Sequence, residues 1–291
     1  LAWITVFDLS KSGILEVTFF DVGQGDAIFI ETPKMHQILI DGGPSSAILE
    51  KLAKEMPFWD RSIDLIILTH PEYDHMVGLL EVLKRYKVEN ILWTGVVRDV
   101  VEYKEWVKLI KEEEIKEGAK IFIAQASQKI KIQWPDRCNL ARSESCSFLE
   151  VLYPFENLAG REMKNTNDTS IVAHLVFGEN SFLFTGDITK SVEKELSEHY
   201  SLKSSDQNPI DSDVLKIAHH GSKTSSSEEL LKAATPEIAV IQVGKNNYGH
   251  PHPQVLLNLE KFGIEILRTD KDGDIKIVSD GKNLKIKKLK I

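Results

Sequence analysis

With 291 residues, 42% of them hydrophobic, the chain can bury a large core, and no run approaches the ~20 apolar residues of a membrane-crossing helix. A formal charge of −8 removes a global positive field as a basis for nucleic-acid binding, so a polyanionic substrate must be met by a local site. Lysines 276, 282, 285, 287, 288 and 290 crowd the C-terminus, where they read as the solvated, aggregation-blunting edge of a sheet.

The chain opens without methionine on an apolar LAWITVF followed by a polar DLSKSG. Residues 1–14 therefore read equally as the tail of a trimmed signal anchor, with membrane attachment through a missing upstream segment, and as an ordinary N-terminal strand. The only cysteines, Cys138 and Cys146, share the polar loop PDRCNLARSESCS. A disulfide there fits an extracytoplasmic location, and two unpaired thiols fit as well; the spacing is not the C-x-x-C of a zinc knuckle or redox dithiol.

In chain order, ILEVTFFDV, DAIFIETP and HQILIDGG are β-rich runs separated by turn residues, the second opened by the turn Gly23–Asp26. SAILEKLAKEM has helical spacing, and DLIILTH is a continuous apolar strand of the kind buried on both faces. A helix at MVGLLEVLKRY, a strand at NILWTG and an amphipathic helix at YKEWVKLIKEEEIKEG follow, then strands KIFIAQ, KIKIQW and FLEVLYP. A second set begins with the hairpin SIVAHLVFG and SFLFTGD, continues through a helix over 191–200, a strand DVLKIAHHGS and a helix over 226–234, and ends on EIAVIQV. A helix at PQVLLNLEKFG and further strands close the chain. Two β-rich halves edged with helices predict an α/β fold, one four-layer αββα sandwich over residues 15–291. The loops near 136–147 and 202–212 read as insertions.

The chemistry lies where strands end. Asp41 follows ILI; His70, Glu72, Asp74 and His75 follow LIILT; Asp187 follows FLFTG; His219 and His220 follow LKIA; His250 follows NNYG. Unpaired carboxylates at buried strand ends carry a large desolvation cost, which convergence on a cation removes. Imidazole and carboxylate without thiolate suit Zn²⁺, Mn²⁺ or Fe²⁺. The candidates suffice for two ions sharing one carboxylate, an arrangement that stabilises both attacking and leaving oxygens in a displacement.

HPEYDH, with ILIDGG before it and FTGD after it, resembles the H-x-H-x-D-H signature set of the metallo-β-lactamase fold. FFDVGQGDAIFIE, KIAHHGSKTSSS and VGKNNYGHPHPQVL are similar to the ComEC branch, hydrolase domains of competence DNA-uptake proteins and their free-standing relatives, over about Glu16 to Ser279. The resemblance implies a metal-dependent phosphodiester hydrolase with two divalent ions, Zn or Mn, and a bridging hydroxide as nucleophile. It implies His70 and His219 on one ion, Asp74, His75 and His250 on the other, and Asp187 between them, with Asp74 also orienting the nucleophile. Glu72 stands where the wider family has a second histidine; direct ligation, which would harden the site toward Mn²⁺, and an outward-turned supporting role are both open.

No histidine precedes the GD aspartate: Asn167 and Asp168 occupy that place, and His174 lies inside a strand, where a structural role is expected. One of His219 and His220 ligates, and on an extended strand the other points away and serves as substrate contact or proton donor, the part given to His220. Asp41 is expected to hold a ligand histidine through its second ring nitrogen. Ser222, Lys223 and Ser225 sit ahead of a helix where backbone N–H groups could take a phosphate, though plain serine capping also accounts for the run. DNA is the substrate favoured by the resemblance, degraded during uptake or scavenging. Small phosphodiesters of the choline-phosphate type are the alternative, and a non-catalytic metal-binding domain is the reading from outside enzymology.

Overall fold

The computed structural model describes residues 13–132, 147–201 and 208–289. The cysteine loop and the N-terminal lead-in lie outside the described residues, apart from the lead-in's last two positions.

The first half is built from β1 (Leu15–Phe19), β2 (Ile28–Glu31), β3 (Gln37–Ile40), α1 (Ala47–Glu55), β4 (Ser62–Leu68), α2 (Tyr73–Leu83), β5 (Lys87–Trp93), α3 (Val101–Glu117) and β6 (Lys120–Ile123). The second runs through β7 (Lys129–Ile132), β8 (Ser147–Tyr153), β9 (Val172–Phe177), β10 (Asn180–Phe184), α4 (Lys190–Ser201), β11 (Val214–Lys216), α5 (Glu228–Ala234), β12 (Ile238–Ile241), α6 (Pro253–Lys261) and β13 (Glu265–Arg268). The short α7 (Thr269–Asp272) then leads to β14 (Asp274–Ser279) and β15 (Leu284–Leu289).

The strands form an eight-stranded sheet, β15-β14-β1-β2-β3-β4-β5-β6, and a seven-stranded sheet, β13-β12-β11-β10-β9-β8-β7. Alternation along the strands explains the layers, because successive side chains point to opposite faces. On β4, Leu65 and Ile67 enter the core between the sheets, with Phe19, Phe182 and Phe184. Ile66 and Leu68 face the other way, into the cluster under the helices with Leu52, Leu79 and Trp106. The second sheet mirrors this, sending Val192, Leu196, Leu231 and Leu259 of its helices against Leu183 and Leu215. The result is the expected four-layer αββα sandwich.

β15 is the outer edge of the first sheet, and Lys285, Lys287 and Lys288 on it are exposed, as an edge guarded by charge requires. Lys276 lies one strand in, on β14, paired with Glu16 and Glu55. DVLKIAHHGS is strand only as far as Lys216; Ala218–Gly221 form a 3-10 turn in which His219 and His220 both have positive φ, 52° and 53°. The expectation of an extended histidine pair is thereby corrected. The two rings lie 6.2 Å apart at 70° rather than on opposite faces of a strand.

Two contacts fix the site's supports. Gly78 of α2 donates to Gly43 O at 2.8 Å and Gly42 donates to His75 O at 2.8 Å, pressing the helix onto the loop after β3. A Cβ at Gly78 would stand 1.8 Å from Gly42 O, so no other residue fits that approach. Between the halves, Ile171 N donates to Thr69 O at 3.0 Å, and Gln242 Nε2 donates to Phe20 O and Ala27 O at 3.2 and 2.8 Å.

His174 is buried on β9, its Nε2 without a hydrogen-bond partner among the described residues, and burial pushes its pKa down to about 4. As pH falls below the ordinary 6.5 the unfolded chain takes up this proton first, so stability present at neutral pH is lost progressively toward pH 4. The full loss is roughly 3 kcal/mol. His174→Leu should flatten this part of the pH dependence, read as the shift in urea midpoint between about pH 7 and about pH 5; an unchanged shift would assign it to other groups.

Candidate metal centre

The strand ends deliver their side chains to one rim. His70 arrives on the short β4–α2 connection, His75 in the first turn of α2, Asp187 just beyond β10, and His220 in the turn beyond β11. Asp74 lies in the first turn of α2, where the helix N-terminus favours a carboxylate.

Asp41 sits beneath them at φ 57°, with 1% exposure. Its carboxylate accepts from Thr69 N at 2.8 Å, Thr69 Oγ1 at 2.7 Å and His75 Nδ1 at 2.8 Å. Since the Thr69 hydroxyl proton goes to Asp41, Thr69 Oγ1 is left to accept from His70 Nδ1 at 3.1 Å. One carboxylate thus sets both imidazole tautomers and leaves both Nε2 lone pairs facing inward. His220 is set by a third acceptor, its Nδ1 donating to Gln242 O at 2.8 Å.

Asp187 Oδ2 lies 3.4 Å from His75 Nε2 and 3.5 Å from His220 Nε2. Asp74 Oδ2 is 3.2 Å from His220 Nε2, and Asp74 Oδ1 is 4.0 Å from His75 Nε2. Four ligands about 2.0–2.1 Å from a tetrahedral ion would lie roughly 3.3 Å from one another. His70, His75 and Asp187 form a second group whose ligand atoms fall within 4.8 Å of each other. His70 Nε2 is buried with no hydrogen-bond partner among the described residues, a cost that a cation would relieve. The residues therefore fit a divalent ion.

The electrostatics agree. Burial would raise Asp187, but His220, His75 and Lys216 outweigh it and hold the carboxyl well below the usual range. Asp74 is also depressed, its burial overcome by His220 and His75. Conversely, burial would lower His220, but Asp187 and Asp26 push it up to about 10. Carboxylates so placed draw positive charge onto the imidazoles, and a proton and a metal ion compete for the same lone pairs. His70, which burial and His75 push down to about 3, stays neutral and ready to ligate.

Several sequence expectations change. Glu72 is in no candidate ligand group: Oε1 pairs with Arg98 Nη1 and accepts from Thr166 Oγ1, while Arg98 is also anchored to Pro71 O at 3.2 Å. His220, not His219, enters the candidate groups, with Asp74 and His75 in one and with Asp26 and Asp187 in another, because the left-handed turn swings it inward to 1% exposure. His219 stands at the rim with Nε2 4.0 Å from Asp187 Oδ2 and the Asn167 amide 3.4 Å from its ring nitrogens. His250 lies beyond it, ring centroids 5.5 Å apart, and is in no ligand group.

The expected phosphate cradle is filled by the protein itself. Glu193 accepts from Ser226 N at 2.5 Å and Ser227 N at 2.7 Å, and fully buried Ser225 donates its hydroxyl to Ala218 O at 2.9 Å. Ser222 Oγ meets Thr224 Oγ1 at 2.9 Å, and of Ser222, Lys223, Thr224 and Ser225 the middle two are exposed.

Sequence reasoning read Asp26 as part of a turn and passed over Lys216. Both are buried at 1%, and the Lys216 ammonium pairs with the Asp26 carboxylate beneath Asp187. The available signal was a lysine inside the apolar run VLKIA, at a position whose neighbour Val214 faces the inter-sheet core. Burial would lower Lys216, but Asp26 and Asp187 outweigh it and hold the amine raised.

Because Glu72 is held by Arg98 and Thr166, Glu72→His should leave the ratio of Zn²⁺ to Mn²⁺ taken up from an equimolar mixture unchanged, by elemental analysis after desalting. A clear shift toward Zn²⁺ would return position 72 to the ligand set.

Comparisons with known proteins agree with this geometry. Residues 20–245 match the family described as the metallo-beta-lactamase superfamily. The chain is 30% identical over 285 residues to ComE operon protein 3 of Bacillus subtilis (strain 168), covering 92% of this chain and 33% of the relative. It is 29% identical over 280 residues to competence protein ComA of Neisseria gonorrhoeae, covering 94% of this chain and 34% of that protein. It thus spans about a third of the length of these curated relatives. Among solved structures, Igni18, described as a novel metallo hydrolase from the archaeon Ignicoccus hospitalis KIN4/I, superposes with a TM-score of 0.54 at 16% identity, over 90% of this chain and 98% of that one, a likeness of fold. With its signature residues gathered at the strand ends of a four-layer sandwich, the chain belongs to the metallo-β-lactamase superfamily and is related to competence proteins.

Proposed function

We propose that this centre hydrolyses phosphodiesters and that its substrate is a DNA strand. The observation that carries the reading is the pair of inward-facing groups that share His75, His70–His75–Asp187 and Asp74–His75–His220, opening on one side to the partly exposed His219 and His250. A divalent ion held there supplies Lewis acidity and a water-derived nucleophile at neutral pH.

The chain's own residues do the rest. Asp74 and His220, 3.2 Å apart, hold the inner wall. His219 and His250 are lowered by burial, His250 to about 4 with His219 as the next cause, so both are neutral at pH 7 and can donate a ring N–H to a phosphoryl oxygen. Tyr248, 76% exposed with its ring centroid 5.7 Å from that of His250, offers an aromatic face on which a base can stack. The net charge of −8 argues against tight nonspecific backbone binding and suits a site that meets phosphates locally. The competence names of the curated relatives support DNA over a small ester.

The test uses chelator-stripped protein reloaded separately with Mn²⁺ and Zn²⁺ and offered single-stranded DNA, duplex DNA and bis(p-nitrophenyl) phosphate. Cleavage of DNA, with Asp187→Ala reducing turnover by at least about 10³-fold and lowering bound metal, is the expected result. Turnover of the small ester alone would overturn the DNA assignment, and near-normal activity of Asp187→Ala would remove it from the centre.

A further inference from the structure

The candidate ligands come from both sheets. His70, Asp74 and His75 follow β4 of the first, whereas Asp187 and His220 lie beyond β10 and β11 of the second. Their spacing therefore depends on how the sheets are joined beneath this rim. Asp26, at the end of the turn ahead of β2, reaches members of both sets. Its backbone N–H donates to Asp74 O at 3.3 Å, and its Oδ1 stands 3.3 Å from His220 Nδ1. A Cβ at Gly25 would stand 2.4 Å from Asp74 O, so the turn meets α2 at backbone contact. Asp26 falls in a candidate group with Asp187 and His220, but it faces the Nδ1 edge of the ring, which donates to Gln242 O, while Asp74 and Asp187 face Nε2. It thus stands behind His220 as a support.

Through Oδ2, Asp26 pairs with the ammonium of Lys216, the last residue of β11. That ammonium also donates to Gly186 O at 2.8 Å and to Asp187 Oδ1 at 3.4 Å, so three protons meet three acceptors at 1% exposure. Asp187 Oδ1 accepts from His219 N at 3.2 Å as well. With Oδ1 held from below, Oδ2 is turned toward His75 Nε2 and His220 Nε2 at 3.4 and 3.5 Å. The terminal torsion of an aspartate is broad, and without these donors nothing of comparable charge would fix it.

We infer that Lys216 and Asp26 are positioning residues: their ion pair, closed across the two sheets, fixes the rotation of Asp187 and its distance from His75, and thereby sets metal affinity. The inference rests on reading this cluster as a metal centre. It holds for one ion or two, because it concerns the aim of Oδ2 and not the number of ions that Oδ2 meets.

Metal affinity, measured without any substrate, is the test. Stripped full chain is titrated with Mn²⁺ in a calorimeter, with urea unfolding followed in parallel. Asp26→Asn/Lys216→Met removes one charge of each sign, so the net charge around the ion is unchanged and a loss of affinity reports lost aim. The double variant should bind Mn²⁺ about 10–100-fold more weakly than wild type. Val214→Ala, on the same strand but facing the inter-sheet core, should lower the urea midpoint and keep wild-type affinity. Should the double variant not fold, Asp26→Asn/Lys216→Gln gives the same readout with polar groups kept in the core, since the glutamine amide is one bond shorter and stops short of Asp187. Wild-type affinity in a folded double variant, or an equal loss in Val214→Ala, would overturn the inference while leaving the metal centre standing. Failure of wild type to bind any ion would overturn both.

Discussion

The carboxylate of Asp41 is the contact on which the centre depends. Buried at a left-handed corner after β3, it accepts three hydrogen bonds from two residues, Thr69 and His75. His75 is set directly and His70 through the Thr69 hydroxyl, so a single charge below the site presents two basic nitrogens above it. The loop can hold this corner only because Gly42 and Gly78 let α2 approach to backbone contact. Backbone packing, tautomer choice and ligand direction are thus one constraint, and an outer contact of this kind governs metal affinity as strongly as the ligands it orients.

A second constraint is charge. Asp26, Asp41, Asp74 and Asp187 crowd a region in which all but Asp74 are almost wholly buried. Carboxylates removed from water at such spacing need positive charge, and among the described residues this comes from Lys216 and whatever protons the imidazoles carry. The deficit explains why His75 and His220 are pushed up and why a divalent cation fits among them. It also divides the centre into a dry floor, where Lys216 and Asp26 are locked together, and a wetter rim carrying His219, His250 and Tyr248.

The rim is where the related centres of one superfamily can part company in substrate. Here the 3-10 turn after β11 places two consecutive histidines in left-handed conformation, a costly geometry for residues with a Cβ. What it gains is separation of roles: His220 goes to the floor and its neighbour stays at the mouth. The Asn167 amide lies against His219, where no family histidine is present. The SKTSSS segment, which resembles a phosphate cradle in sequence, instead closes on Glu193 and stiffens the turn from behind.

The sequence by itself determined the layers and the cast. Continuous apolar runs such as LIIL and FLF marked strands buried on both faces, whose successive side chains enter the core between the sheets and the clusters under the helices, and charged residues just past such runs could only belong to a rim. Asp41, His70, Asp74, His75 and Asp187 were legible for that reason, and Lys285 to Lys288 marked the sheet edge because an unpaired edge needs charge. What only the tertiary structure decided were choices made by partners far apart in the chain. Glu72 is drawn aside by Arg98 and Thr166, which are 26 and 94 residues on. His220 is preferred to His219 because a strand ends one turn earlier than its apolar pattern suggests. Lys216 is admitted to the core because Asp26, 190 residues earlier in the sequence, meets it there, and no local pattern can encode a charge whose compensation comes from another sheet.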